Sequence, residues 1–262
     1  MIKPKKSLGQ NFLVDNEIIN KIVNSVEIEN KTILEVGPGT GNLTSSILKK
    51  KPKKLYVVEK DSFLANKLKE KFKEKLVVIN KDILQINENS LSQEKLTVFG
   101  NLPYNISTEI LCKWILEIND NELWFNYFIL MFQKEVADRI ISDFNSSCYG
   151  RLSILANWKL NIKKICDIDS SCFYPKPKID SSLLFFTPKK KFFKINNPKN
   201  LETITRIFFM HRRKMIKKPY NQIFGVNNEV LKKLNMNLNL RPQNLDFDTY
   251  YKLTDEFEKL RS

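Results

Sequence analysis

Read from its N-terminus, the chain first shows one helical face: Ile18, Ile19, Ile22, Val23 and Val26 recur at three-and-four spacing, with Asp15 placed as the cap. The period then shortens. Mostly apolar runs, TILEV at 32–36, KLYVV at 54–58, LVVIN at 76–80 and LTVFG at 96–100, predict strands, and helical patterns after Asn42 and over 61–74 separate the first of them. The last two runs are apolar enough to be buried on both faces of a parallel sheet. Further strands are expected at 124–132, 160–165 and 181–187, giving seven in about 188 residues, with helices at 106–118 and 133–143. After Pro188 lysines dominate, and helical patterns follow at 200–211, 228–235 and 249–260 without a convincing strand. The expected division is an α/β domain over 1–188 and a small, basic, all-helical domain over 189–262.

Composition narrows the function classes. The 262 residues carry a formal net charge of +15, and 11 Lys or Arg against the single acid Glu202 lie in 189–218, a local block suited to a nucleic-acid surface. No apolar stretch approaches the roughly 20 residues of a membrane span, and the basic opening MIKPKKSLGQNFLVD lacks the apolar segment of about 7 to 15 residues that a signal peptide needs. A cytoplasmic protein is expected. Cys112, Cys148, Cys166 and Cys172 match no zinc spacing and read as reduced, mostly buried thiols. His211 is the only histidine, which argues against a serine triad or a histidine-rich metal site.

The candidate chemistry sits at strand ends. In TILEVGPGTGNLT, Gly37, Gly39 and Gly41 follow the first long strand, where backbone can approach a nucleotide closely. Asn42 replaces the last glycine of a dinucleotide fingerprint, and the remaining GxGxG spacing is usual in S-adenosylmethionine enzymes. Glu59, 18 residues beyond Gly41 at the next strand tip, suits both ribose hydroxyls, the alternative being a solvated loop acid. Asp82 suits an adenine amino group, or else pairs with Lys81 at the surface.

NLPY at 101–104 is the most specific local signal. An exocyclic adenine amine is a poor nucleophile, so the side-chain oxygen of Asn101 and a carbonyl near Leu102 or Pro103 can orient it, while Pro103 stiffens the turn and Tyr104 stacks on the base. Phe173, opening FYPKPKIDS, could cover the second face of an extruded base or could simply be core.

Together these motifs, with KSLGQNFLVD at 6–15, GNLPYNIS at 100–107, QKEVADR at 133–139, YGRLS at 149–153 and RPQNL at 241–245, resemble the KsgA-type family of 16S ribosomal RNA adenine dimethyltransferases over nearly the whole chain. The resemblance implies a seven-stranded Rossmann-like fold of the S-adenosylmethionine-dependent type, with a reversed last strand and a helical C-terminal domain that contacts the ribosome. It implies transfer of four methyl groups, two to each of two adjacent adenines in the 3′-terminal hairpin of small-subunit rRNA. The cofactor site implied is Asn11, Leu13, Gly37, Glu59, Asp82 and Asn101, with S-adenosylhomocysteine as product and no metal.

The expected partner is 16S rRNA in the small ribosomal subunit or its precursor, met by a monomer without membrane attachment. Arg212, Arg213 and Lys214 are the candidate RNA contacts, although FMHRRKMIKKPYNQIF departs from the family's usual basic helix by its His211 and Pro219. Two other readings compete. One is a 23S rRNA dimethyltransferase of the erythromycin-resistance type, disfavoured by the extended basic C-terminal domain; the other is a non-catalytic assembly factor, disfavoured by the intact Gly37, Glu59, Asp82 and NLPY.

Overall fold

The computed structural model describes residues 4–5, 9–118, 123–226 and 228–261, so Lys6, Ser7 and Leu8 of the KSLGQNFLVD motif lie outside the described residues. In chain order the elements are β1 (Phe12–Leu13), α1 (Asn16–Val23), β2 (Thr32–Val36), α2 (Asn42–Lys49), β3 (Lys54–Val58), α3 (Ser62–Phe72), β4 (Val77–Ile79), β5 (Leu96–Asn101) and α4 (Ser107–Glu117). They continue as β6 (Phe125–Gln133), α5 (Lys134–Ile141), α6 (Arg151–Lys159), β7 (Leu160–Ile168), β8 (Phe173–Tyr174), β9 (Ser181–Pro188), α7 (Pro198–Phe209), α8 (Lys217–Phe224), α9 (Glu229–Lys233) and α10 (Phe247–Lys259).

The chain divides into two compact units, Met1–Ala137 with Asn161–Pro188, and Asp138–Leu160 with Lys189–Ser262. The stretch 138–160, assigned above to the first domain, thus groups with the C-terminal residues, because α6 packs against α7 and α10.

The seven expected strands form one sheet in the order β4-β3-β2-β5-β6-β9-β7. β2, β3, β4, β5 and β6 run parallel, and β9 returns antiparallel to β6, pairing Phe128 with Phe186 and Gln133 with Ser181. β2 and β5 are buried on both faces, as their unbroken apolar sequences require. LVVIN departs from that expectation: β4 is the edge strand, with one neighbour, and Val77 is 41% exposed.

Ile19, Ile22 and Val23 of α1, Leu43 and Ile47 of α2, and Leu68 and Phe72 of α3 join Ile33, Val57 and Phe99 of the strands in one core. Asp15 caps α1 by accepting from the Ile18 amide at 2.9 Å, and Asp61 caps α3 by accepting from Phe63 at 3.0 Å. A second, two-stranded sheet pairs β1 with β8, with Phe12 opposite Tyr174 and Leu13 opposite Phe173.

The second unit is helical around buried Tyr149, Trp158, Phe208, Tyr250 and Leu253, and the Tyr251 hydroxyl donates to the Ile154 carbonyl at 3.1 Å. Pro219 does not interrupt it, since it falls in the first turn of α8, where its missing N–H is not needed. The four cysteines form no disulfide; Cys148 is exposed, and Cys112 in α4, Cys166 in β7 and Cys172 just before β8 are half-buried, less buried than expected.

Candidate active site

The C-terminal ends of β2, β3 and β5, central neighbours in the sheet, open onto one cleft, the location at which parallel α/β sheets bind ligands. Gly37 and Gly39 turn the chain from β2 towards α2 with φ of +73° and +55°. A β-carbon would stand 2.9 Å from the Asn101 carbonyl oxygen at Gly37 and 2.7 Å from the Phe12 ring at Gly39, so the loop and its neighbours close tightly only around bare backbone. Glu59 enters the cleft from the end of β3, Asp82 from the turn after β4, and Asn101, Leu102, Pro103 and Tyr104 from the end of β5.

The two strand-end acids are held differently. Glu59 is 7% exposed, and its carboxylate accepts from the Asp61 amide at 2.9 Å and the Gly39 amide at 3.2 Å. Burial pushes its pKa up despite those bonds, and nearby Asp61 adds to the rise. Asp82 is held below the ordinary carboxylate range, first by Lys60, which pairs with it at 2.7 Å, and also by the Leu84 amide at 3.1 Å. Its ion-pair partner is therefore Lys60 and not the adjacent Lys81, whose side chain also lines the cleft.

Asn101 Nδ2 donates to the Asn11 carbonyl at 2.8 Å, which leaves Oδ1 as the acceptor end of that amide. The Tyr104 hydroxyl lies 2.5 Å from Ser181 Oγ, fixing its ring beside the turn.

The opening segment covers this cleft. Asn11 and Leu13 both line it, and Asn42 Nδ2 donates to the Leu13 carbonyl at 2.9 Å. Lys5 pairs with Asp61 at 2.9 Å, and Gln10 Nε2 donates to the same carboxylate at 3.2 Å. Phe173 is not among the cleft residues. The β1–β8 register places it opposite Leu13, and its ring is 3% exposed in the core, while Tyr174, opposite Phe12, is 50% exposed. Of the two readings of Phe173, a base-covering ring or a core residue, its burial agrees with the second.

The family model for ribosomal RNA adenine dimethylase matches residues 1–259. This chain belongs to the ribosomal RNA adenine dimethylase family. It is 65% identical over 260 residues to the ribosomal RNA small subunit methyltransferase A of Pelagibacter ubique (strain HTCC1062), covering 99% of each chain. A dimethyladenosine transferase from Plasmodium falciparum superposes with a TM-score of 0.80 at 28% identity, covering 95% of this chain and 98% of the other. The 23S rRNA methyltransferase ErmE superposes at 0.68 with 22% identity, covering 95% and 100%, a likeness that shows the fold alone.

This dimethylase has functional candidates that the sequence reading missed. Glu35, next to last in β2, lines the cleft while 1% exposed, and its Oε2 has no hydrogen-bond partner among the described residues. Burial raises its pKa to about 8, against the pull of Thr44 and with Glu59 adding to the rise. An acid inside an apolar strand next to a glycine loop was the available signal.

In the dimethylase's helical unit, Arg212 donates to Gln243 Oε1 and to the Ser146 carbonyl, both at 3.2 Å, so it clips two loops together, whereas Arg213 and Lys214 are exposed. No group of three or more His, Cys, Asp or Glu suited to a metal ion occurs among the described residues, and no helix among them is long and apolar enough to cross a membrane.

Proposed function

We propose that this dimethylase uses S-adenosylmethionine to methylate twice the N6 amine of each of two adjacent adenines in the 3′-terminal hairpin of 16S rRNA, within the small ribosomal subunit or its precursor. The observation that carries this reading is the convergence of Glu59, Asp82 and Asn101 on one cleft floored by Gly37 and Gly39. The residues fit the cofactor. Glu59 offers acceptors for the ribose hydroxyls, Asp82 an acceptor for the adenine amine, and Glu35 an unpartnered buried oxygen for a cationic amino-acid end. When bound, the cofactor supplies an electrophilic methyl on a sulfonium.

The protein's own part is positioning. Asn101 Oδ1 accepts from one N6–H, since its amide nitrogen is already committed to Asn11, and a carbonyl of the NLPY turn accepts the second. Those two bonds turn the nitrogen lone pair towards the methyl, and the proton is lost as the new C–N bond forms, so no strong base is needed. Tyr104, braced on Ser181, offers a stacking face. Arg213 and Lys214, with the other lysines of 189–218, supply phosphate contacts that position the particle.

The test is direct. Undermethylated small subunits, naked rRNA and large subunits are each incubated with the protein and isotopically labelled cofactor, then digested for mass spectrometry. Labelled dimethyladenosine at two adjacent positions of 16S rRNA is expected. Label in 23S rRNA would favour the resistance-type reading, and binding without label the assembly-factor reading.

A further inference from the structure

Outside the cleft, one buried ionic cluster ties together two of the loops that form it. Lys113, on α4, is 17% exposed, and its ammonium contacts both oxygens of Glu88 at 2.9 and 2.8 Å. It also donates to the Ile86 carbonyl at 2.5 Å and reaches the Ile83 carbonyl at 3.4 Å. Glu88 is 2% exposed, and its Oε1 takes a further hydrogen bond from Trp114 Nε1 at 2.7 Å.

The segment gripped in this way begins at Asp82, which caps the turn containing Ile83, and both residues line the cleft. The gripping helix begins at Ser107, directly after the NLPY turn. Ser107 Oγ donates to the Tyr104 carbonyl at 3.3 Å, and the Ile106 amide donates to the Pro103 carbonyl at 3.1 Å.

Burying an ion pair is a poor route to stability, because the desolvation cost consumes most of the attraction and apolar side chains of similar volume serve packing as well. What an ammonium adds is direction: its hydrogen bonds go to the Glu88 carboxylate and to two backbone carbonyls of the short turn, with Glu117 of the same helix farther off at 3.9 Å, and they join that turn to α4 beyond what the buried Ile83 and Ile86 side chains provide. Two of the three 83–85 residues lack full burial, and the β4 edge strand that leads into them has only β3 beside it.

We propose that Lys113 is a positioning residue for methyl transfer: through Glu88, Ile83 and Ile86 it sets the separation between the Asp82 turn and the NLPY turn. The inference rests on the reading of the cleft above, in which Asp82 holds the cofactor's adenine and Asn101 the target amine. Lys113 itself touches neither. Its loss would let the two turns drift by a fraction of an ångström, and the cost would fall on cofactor affinity and on the methyl-transfer step together. Particle binding, which depends on other residues, would not change.

The experiment compares the parent chain with Lys113→Arg, Lys113→Met and the double variant Glu88→Gln/Lys113→Met, which removes the clamp without leaving a buried charge behind. Thermal unfolding reports folding, calorimetry reports S-adenosylmethionine affinity, and single-turnover methylation of undermethylated small subunits at saturating cofactor reports the chemical step. Folded variants without the ammonium are expected to lose roughly tenfold in each of the last two, an order below the 10²-fold that a 1 Å misplacement can cost. Lys113→Arg, which keeps the charge, should recover most of the loss, and subunit affinity should stay at the parental value.

Parental cofactor affinity and single-turnover rate in a folded double variant would overturn the proposal, and so would an equal loss of subunit affinity. Should both Met-containing variants fail to fold, the decision passes to Lys113→Arg: a threefold or smaller deficit confined to cofactor affinity and rate is expected, and fully parental values overturn the proposal. A parent that does not bind S-adenosylmethionine refutes the cleft assignment instead, before any variant is compared.

Discussion

Replacing Glu59 by Gln tests the cofactor assignment with little disturbance to the fold. The carboxylate accepts from the amides of Asp61 and Gly39, and burial has already raised its pKa. Gln retains one acceptor oxygen and sets an amide nitrogen against the other backbone N–H, a mismatch costing about 1–3 kcal/mol. Removing a buried charge returns free energy of similar size at neutral pH, so Tm should move by only a few degrees.

Ligand binding has no such compensation. Hydrogen bonds to a charged group are worth about 1.5–3 kcal/mol each and neutral ones about 0.5–1.5, so losing one and weakening the other costs at least roughly 2.5 kcal/mol. That is an affinity loss of roughly sixtyfold or more. The pH dependence has a definite sign: the acceptor form is the carboxylate, its pKa is raised, and parental affinity should therefore fall as the pH drops towards a midpoint above the ordinary Glu value. Glu59→Gln should abolish that component. Calorimetry with S-adenosylmethionine from pH 5 to 8, alongside thermal unfolding, measures both, and a folded variant that binds within threefold of the parent at pH 7.5 would refute the reasoning.

Other expectations follow from the same geometry. Asn101→Ala should lower single-turnover methylation at saturating cofactor by at least 10²-fold while subunit affinity holds, because the amine loses its orienting acceptor and the opening segment its bond at Asn11; rapid-quench kinetics would show otherwise if the role is wrong. Glu35, raised from 4.5 to about 8, costs the folded state progressively more as pH rises through that range, so Glu35→Gln should add about 3 kcal/mol of stability at pH 7 and nothing at pH 4, read by denaturant titration at both. Arg213 and Lys214 replaced together by Ala should reduce the magnitude of the log–log salt slope of subunit binding by roughly 0.7 to 0.9 per lost phosphate contact. Arg212→Ala should instead lower Tm, because it frees the loops at Ser146 and Gln243; parallel salt plots for the first pair, or an unchanged Tm for the second, contradict these roles.

The sheet and most of the cleft were legible because they rest on local signals. Each long strand is a mostly apolar run, and Gly37, Glu59 and Asp82 stand just past the end of one and Asn101 at the end of another, where parallel α/β sheets place ligands. What escaped depends on distant partners. β1 and β8 are two residues each and some 160 apart in sequence, so neither has a pattern of its own, and their register is what turns Phe173 into the core. α6 is buried nearly all round, from Ser153 through Lys159, and shows no polar face to mark a helical period. Lys60 could not be told from Lys81 as the partner of Asp82 until β3 and β4 lay side by side. Glu35 was hidden by its neighbours, since TILEV reads as a strand whatever its fourth residue does.

Two buried acids facing one cleft have a consequence for the heat of binding. At pH 7 a Glu35 carboxyl with a pKa near 8 mostly holds its proton, and a cation brought against its open oxygen would drive that proton out. Cofactor capture is then coupled to acidification of the medium, by up to one proton per molecule bound. The heat measured in Tris, which takes up protons exothermically, should be more negative than in phosphate, and the slope of observed enthalpy against buffer ionisation enthalpy counts the protons released. Glu35→Gln should flatten that line.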